Sequence, residues 1–353
     1  VQTYEDLQER IKTRPRKWLV TGAAGFIGSH LAEKLLKLGQ DVVALDNFST
    51  GTRANLDHLK NAVGDEAWAK FHFIEGDIRS LEACREACRS VELVLHEAAL
   101  GSVPRSIDKP APTHESNVNG FLNMLIAARD AGVSRLVYAS SSAVYGDDET
   151  MPKVEEKIGR AMSPYGLSKQ INEQYASVFA TCYGFESVGM RYFNVFGPRQ
   201  DPDGAYASVI PAWIGALLRN QTAYINGDGT ISRDFCHVDN VVQANILAAT
   251  TENPAAVNQA YNVAHGEQTT LTELFDLIRG LLIPRMPHMR TVRAVHRSPR
   301  RGDLPRSLAS IAKAQKLLGY EPTFRIRDGL DQTIDWYAAN LAPGAPQKEV
   351  AHA

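Results

Sequence analysis

Along most of the chain, short apolar runs of strand character alternate with stretches whose apolar residues recur at helical spacing. The runs are Lys17–Thr21, Asp41–Leu45, Phe71–Asp77, Leu93–Ala99, Arg135–Ser140, Ser187–Phe193 and, later, Ala260–Ala264. Strands alternating with helices predict an α/β protein with a doubly wound, Rossmann-type parallel sheet, which binds its ligands beyond the carboxyl ends of the strands. The residues just past those ends are Gly22, Asp46, Asp77, Ala99, Ser140 and Asn194, and they are candidates by position. From Pro198 to Arg233, and again from about Glu267, Gly, Pro and Arg become more frequent, which reads as a smaller, discontinuous α/β domain. The expected division is 1–193 with 234–266 for the sheet domain and 194–233 with 267–341 for the smaller one. A disordered tail is expected over 342–353.

The first run passes directly into Gly22-Ala23-Ala24-Gly25-Phe26-Ile27-Gly28 and then the helix-like Ser29–Leu36. Strand, glycine turn and helix form the setting in which such glycines receive a dinucleotide. Gly22 allows the tight turn, Gly25 lets the backbone approach a pyrophosphate, and Gly28 permits close helix–strand packing. The phosphates would lie at the helix N-terminus, where free N–H groups favour an anion. The spacing is G-x-x-G-x-x-G, one residue longer than the general fingerprint. The second strand ends in Asp46, whose carboxylate can accept from an adenosine ribose and would repel a 2′-phosphate, favouring NAD over NADP. Asn47, Ser49 and Gly51 follow with small groups suited to the same ribose or the adenine. Asp46 is also a residue type that merely ends strands in turns.

Composition narrows the class. The 353 residues are 44% hydrophobic and carry a net charge of −2, enough for a large core and unfavourable to nucleic acid or an anionic membrane as main partner. No apolar run approaches the ~18 residues of a membrane span, and the charged opening Tyr4–Ile11 reads as a surface helix rather than a secretory signal. Cys84, Cys88, Cys182 and Cys236 lack zinc-like spacing, so no metal site and free thiols in a reducing cytoplasm are expected.

Ser163-Pro164-Tyr165-Gly166-Leu167-Ser168-Lys169 carries the candidate chemistry. Ser163 and Pro164 read as an N-cap and first-turn pair. A spacing of four then sets the Tyr165 phenol and the Lys169 ammonium on one helix face. A neighbouring ammonium stabilises phenolate, turning a poor base into a usable one at neutral pH. A Tyr and a Lys four apart also occur on ordinary helices.

With the glycine turn, Asp46, Ser140-Ser141-Ser142 and Tyr165-x-x-x-Lys169 together, the chain resembles the extended short-chain dehydrogenase/reductases from about Lys17 to Tyr337. Within them it looks most like the nucleotide-sugar 4-epimerases, and specifically the UDP-N-acetylglucosamine 4-epimerases. The stretches that carry this are Ala99–Ser106, Arg191–Gly197, Tyr224–Gly229 and Arg233-Asp234-Phe235. The resemblance implies bound NAD, regenerated each cycle, and a transient 4-keto sugar, with Tyr165 as base. Lys169 would tune the tyrosine and hold the nicotinamide ribose, Ser141 would hydrogen-bond the reacting oxygen, and Ser142 would assist. It extends the NAD contacts from Gly22, Gly25, Gly28 and Asp46 to Phe26, Ile27, Asp77, Ile78, Ala98, Ala99, Asn117, Ser140 and Tyr192. On the sugar-nucleotide side it implies Arg233 and Arg300 as diphosphate clamps, with Asn194, Tyr224, Asn226 and Asp303 as further contacts. Gly101, Ser102, Ala207 and Val209 complete that surface. Ser307 stands where UDP-galactose epimerases carry a bulky tyrosine, so a 2-acetamido group would fit. It could equally be an ordinary loop serine. Related 4,6-dehydratases bear an acid pair where this chain has Ser142 and Ala143, which argues against elimination of water. The implied assembly is a homodimer through helices near His114–Ala131 and Tyr165–Cys182, whose apolar faces could also pack internally. Two other readings stay open: a UDP-glucose/UDP-galactose 4-epimerase, and a non-catalytic NAD-sensing regulator, which an intact Tyr165 and Lys169 disfavour.

Overall fold

The computed structural model describes residues 3–204, 206–299 and 305–341. Its centre is a seven-stranded, wholly parallel sheet in the spatial order Gln259–Val263, Ser187–Tyr192, Arg135–Ser141, Leu93–His96, Lys17–Thr21, Asp41–Asp46, Phe71–Glu75. Each strand starts within a residue of its predicted run. The run predicted as Leu93–Ala99 stops pairing at His96, which frees Glu97 to Gly101 as a loop. Lys17–Thr21 pairs on both sides, with Val20 opposite Ala44 on one neighbour and Leu95 on the other. Helices cover both faces, so Trp18, Leu19 and Val20 are all fully buried and the strand reads as a continuous apolar run. The chain first builds outward to Phe71–Glu75, then returns to the other side of Lys17–Thr21. That reversal opens a crevice between Lys17–Thr21 and Leu93–His96 at their carboxyl ends.

One apolar layer packs Leu31, Leu35, Val241 and Ile246 against one sheet face, and another packs Phe121, Met124, Leu125 and Phe179 against the other. A third cluster, with Trp213, Ile214, Phe275, Ile278, Leu330 and Ile334, is built mainly from the later chain. On this packing we propose the division into a dinucleotide domain (1–193, 234–266) and a nucleotide-sugar domain (194–233, 267–341). The helix Ala312–Leu318 departs from it, because Ala314, Leu318 and Tyr320 pack with the first cluster.

The opening helix, Tyr4–Lys12, is held by a Thr3–Asp6 capping box and is more than the expected surface element, since its Leu7 and Ile11 are buried in the main core. The helix expected near His114–Ala131 is interrupted by a π-helical turn over Glu115–Asn119, which turns Asn117 inward. No helix among the described residues is long and apolar enough to cross a membrane. The expected tail, 342–353, lies outside the described residues.

Candidate active site

The glycine turn is shaped by what cannot fit in it. Gly22 N donates to Leu45 O at 2.8 Å and Gly25 N to Gly22 O at 3.0 Å, folding the chain from the first strand straight into the helix Phe26–Lys37. Gly22 has φ +69°, and a Cβ there would stand 2.9 Å from Ala98 N; a Cβ on Gly28 would stand 2.1 Å from Gly22 O. Gly25 caps the helix without any side-chain hydrogen bond, so its first N–H groups remain available to an anion. At the end of the second strand, Asp46 Oδ2 accepts from Ala24 N at 3.0 Å and Oδ1 from Phe48 N at 2.7 Å. Burial raises its pKa, and those backbone donors work against the rise.

These groups form one end of a cleft of about 380 Å³ at the sheet's reversal point. Phe26, Ile27, Asn47, Ser49, Asp77 and Ile78 line that end together with the glycines. Asn47 Nδ2 donates to Asp77 Oδ2 at 2.8 Å, and the Arg79 guanidinium, 2.8 Å from the same oxygen, drives the Asp77 carboxyl down to about 2. Gly51 stands behind the wall: its Cβ would meet Ala24 C at 2.7 Å. An uncapped helix terminus, a carboxylate at the next strand end and no room for a side chain between them suit a dinucleotide.

At the other end, Ser163 Oγ accepts from Gly166 N at 3.0 Å and starts the helix Pro164–Tyr183 as expected. Tyr165 is half-buried and faces the cleft, beside Ser140, Ser141, Ala98, Ala99 and Gly101. Lys169 is buried, its Nζ donating to Ala139 O at 2.7 Å and standing 5.9 Å from the Tyr165 ring centre. Burial pushes the Tyr165 phenol up, hydrogen bonding from Ser141 pulls it back, and the Glu97 carboxylate pushes it up again. The phenol therefore stands above its ordinary value, not below it as the pairing with Lys169 led us to expect. Burial also lowers Lys169 to about 8, against the pull of Glu97 and Glu173.

Two supporting networks escaped the sequence. Ser140 Oγ donates to Glu173 Oε1 at 2.6 Å, and Arg191 grips the same carboxylate through Nε at 2.9 Å and Nη2 at 2.8 Å. Arg191 Nη1 reaches on to Tyr145 Oη at 3.1 Å, whose proton goes to Asn262 Oδ1 at 2.5 Å. This buried chain fixes the strand end that presents Ser140 and Ser141. In the second, Tyr192 donates to Glu97 Oε1 at 2.8 Å and receives Asn245 Nδ2 at 2.8 Å. An acid inside the apolar run Leu93–Ala99 at a strand's carboxyl end was the signal available for Glu97. Asn117 acts behind the cleft, its Oδ1 accepting from Leu100 N at 2.8 Å and its Nδ2 donating to Leu100 O at 3.1 Å. It fixes the loop that carries Ala99 and Gly101.

Of the remaining expected contacts, Asn194 lines the cleft at φ +34°, its Nδ2 donating to Asp234 O at 3.0 Å. Ser102, at φ +108°, caps the helix Val103–Asp108, and Ser142 opens the 3-10 turn Ser142–Tyr145. Neither is part of the cleft wall. Ala207 and Val209 precede and open the helix Val209–Leu218. Tyr224 and Asn226 belong to a short strand paired with Val295–Arg297, and the Arg297 guanidinium lies 3.2 Å from the Tyr224 ring centre. Ser307 N donates to Ser232 O at 3.1 Å, which brings Ser307 next to Arg233 on the strand Ser232–Arg233. Arg300 and Asp303 lie outside the described residues.

Residues 18–264 match the model of the NAD dependent epimerase/dehydratase family. The chain belongs to that family. Its cofactor is NAD, in keeping with the donor set around the glycine turn and Asp46. A putative UDP-glucose 4-epimerase of Methanocaldococcus jannaschii is 36% identical over 91% of this chain and 98% of its own length. The structure of a UDP-glucose 4-epimerase from Thermotoga maritima with UDP-glucose superposes with TM-score 0.83 at 34% identity, covering 92% of this chain and 100% of that one. A UDP-N-acetylglucosamine 4-epimerase from Methanobrevibacter ruminantium, in complex with UDP-N-acetylmuramic acid, gives TM-score 0.83 at 32% identity over 92% of this chain and 99% of that one. The matched span, residues 18–264, includes the glycine turn Gly22–Gly28 and the helix Pro164–Tyr183 that carries Tyr165 and Lys169.

Proposed function

We propose that this protein is an NAD-dependent UDP-sugar 4-epimerase that interconverts UDP-GlcNAc and UDP-GalNAc. The observation that carries the reaction is the meeting of Tyr165, Ser141 and Lys169 at one end of the dinucleotide cleft. NAD held along the glycine turn and Asp46 would supply the hydride acceptor, and then the donor, for sugar C4. Tyr165 removes the proton from the 4-hydroxyl and gives it back to the same oxygen after the 4-keto sugar has turned in the pocket. Ser141 donates to that oxygen, and its hydrogen bond already works against the cost that burial imposes on phenolate. The Lys169 ammonium stands 5.9 Å from the Tyr165 ring centre, where its charge favours the phenolate. Ser142 and Ala143 offer no carboxylic acid, so elimination of water has no proton donor there. Asn194, Arg233, Arg300, Asp303, Tyr224 and Asn226 receive the UDP moiety in this reading. Guanidinium groups suit its diphosphate.

The small side chain of Ser307, held beside Arg233 through Ser232, favours the N-acetylated sugar. The similarity to UDP-glucose 4-epimerases favours a second reading, in which plain UDP-hexoses are the substrates. Purified protein assayed without added reductant on UDP-GlcNAc and UDP-glucose in parallel, with both 4-epimers resolved, decides between them. Preferential turnover of UDP-GlcNAc is expected; the reverse preference would leave the mechanism and remove the Ser307 argument. We also infer a homodimer, because Leu167, Val178 and Tyr183 on the helix Pro164–Tyr183 are 49%, 51% and 55% exposed. Light scattering on the eluting protein tests it, and a monomer mass would refute it.

A further inference from the structure

Glu97 is the one acidic side chain at the reactive end of the cleft among its described lining residues, since Asp46 and Asp77 belong to the adenosine end. Its partners fix it as an acceptor. Asn245, fully buried on the helix Val238–Thr250, spends one amide proton on Val241 O at 2.9 Å and the other on Tyr192 Oη at 2.8 Å. The Tyr192 hydroxyl oxygen is thereby occupied as an acceptor, and its single proton goes to Glu97 Oε1 at 2.8 Å. A chain of donors from a buried amide therefore ends on this carboxylate and orients it.

Sharing the reactive end of the cleft with Glu97 are Lys169 and Tyr165 from the helix Pro164–Tyr183 and Tyr192 from the strand Ser187–Tyr192, while its backbone N–H donates to Thr21 O at 3.2 Å. Just before Glu97, His96, the last residue of the strand Leu93–His96, is buried and neutral, bonded to Thr21 Oγ1 at 2.8 Å. The buried Lys169 ammonium has Ala139 O as its hydrogen-bond acceptor, and two carboxylates act on its charge, Glu97 and Glu173. Glu173 is already neutralised by Arg191 at 2.8 Å, so its negative charge is committed elsewhere. Glu97 is the uncommitted one: among the described residues it makes no ion-pair contact of its own. We propose that Glu97 is a positioning residue for the reaction: an anchored counter-charge, held by Tyr192 and Asn245, that keeps Lys169 charged beside Tyr165.

The proposal gives a pH signature that a purely structural residue lacks. Burial raises Glu97 to about 7, and Lys169 stands at about 8. Above pH 7 Glu97 is ionised and supports the ammonium. Below it Glu97 is neutral and the support is gone. Glu97→Gln keeps the acceptor for Tyr192 and removes the charge. Its Lys169 should lose the proton at lower pH, by roughly one unit. The alkaline limb of the kcat profile should move down by the same amount, while the two profiles merge below about pH 6.

The inference rests on the reading of Tyr165 and Lys169 as the acid–base pair, so the test includes a readout without turnover. Protein carrying 13C-labelled lysine side chains is titrated by NMR, with NAD bound as isolated, and the Lys169 resonance is assigned by its loss in Lys169→Met. The expected result is a lower titration point in Glu97→Gln, restored towards wild type in Glu97→Asp, with NAD content unchanged. An unmoved Lys169 titration in Glu97→Gln overturns the proposal, even if activity falls. If the Gln variant does not fold, Glu97→Asp, which keeps both the charge and the Tyr192 donor, is the fallback. Its Lys169 titration must then stay near wild type, and a fall like that of a lost charge overturns the proposal. A shifted titration in a protein that epimerises neither UDP-GlcNAc nor UDP-glucose would fault the reaction assigned above and leave the counter-charge standing.

Discussion

The same substitution, glycine to alanine, should have opposite effects at two helical positions. At Gly28 the new Cβ would stand 2.1 Å from Gly22 O, 2.7 Å from Gly22 C and 3.0 Å from Ala23 Cα. These are backbone atoms, and the turn that holds them is pinned by Gly22 N to Leu45 O at 2.8 Å and Gly25 N to Gly22 O at 3.0 Å. The helix must retreat from the turn, at a cost of about 3 kcal/mol for overpacking of this kind. Alanine's helical advantage returns about 1 kcal/mol, leaving a net loss of about 2 kcal/mol in the protein itself. The displaced turn also no longer presents its N–H groups to a pyrophosphate, so the stabilisation by bound NAD is lost, about 2.7 kcal/mol at a hundredfold excess over Kd. At Gly280, exposed within the helix Leu271–Leu282, an added Cβ meets nothing within 4 Å. There the change should stabilise by about 1 kcal/mol. NAD released by denaturation and measured against protein, together with thermal melting of both variants, is the assay. Gly28→Ala should melt several degrees lower with little NAD, and Gly280→Ala slightly higher with full NAD. Full NAD content in Gly28→Ala, with melting equal to that of Gly280→Ala, would refute the steric reasoning.

Three further outcomes are expected. Tyr165→Phe should lower kcat by at least ~100-fold while NAD content and the KM for UDP-sugar are retained; a variant of near wild-type kcat would remove Tyr165 from proton transfer. Ser307→Tyr should suppress turnover of UDP-GlcNAc by ~10-fold or more relative to UDP-glucose, measured as the ratio of kcat/KM; an unchanged ratio would remove the acetamido argument. Burial holds His30 and His96 down to about 3 and His237 to about 4. An unfolded histidine takes its proton near 6.5, so between pH 6.5 and 4 the unfolded chain binds more protons and stability is lost as pH falls. The limit is about 1.4 kcal/mol per pH unit for each. Melting should fall steadily from pH 6.5 to 4.5, and a flat profile there would show that these rings are protonated in the fold.

What the sequence revealed was local. The strand–turn–helix of Gly22 to Gly28, the N-cap at Ser163 and the four-residue step from Tyr165 to Lys169 each lie within a few positions, and periodicity or spacing alone exposes them. The seven strands were legible for the same reason: a sheet covered on both faces needs near-continuous apolar runs. The π-turn at Glu115–Asn119 left no such trace, since its purpose is to aim Asn117 at Leu100, seventeen positions away. Glu97 with Tyr192, Ser140 with Glu173, and Tyr145 with Asn262 are pairs between distant segments. Only the sheet order makes them neighbours. The expected sign of the Tyr165 shift failed on the same ground, because spacing gives the ammonium's side of the helix and says nothing of how much water the phenol loses.

The two ends of the cleft are therefore held by different means, and they should fail differently. At the nucleotide end the contacts are backbone N–H groups and the absence of Cβ atoms, with Asp46 itself oriented by the amides of Ala24 and Phe48. Such a site tolerates changes in surrounding side chains and breaks when a glycine gains a carbon. At the reactive end, Ser140 hangs on Glu173 and Arg191, Lys169 on Ala139 and the charge of Glu97, and Glu97 on Tyr192 and Asn245. No single spacing sets that geometry. A chain of buried polar groups does, and removing one member leaves another unpaired at about 1–3 kcal/mol. Substitutions at Glu173 or Asn245, neither of which lines the cleft, should consequently alter kcat and its pH dependence while NAD remains bound.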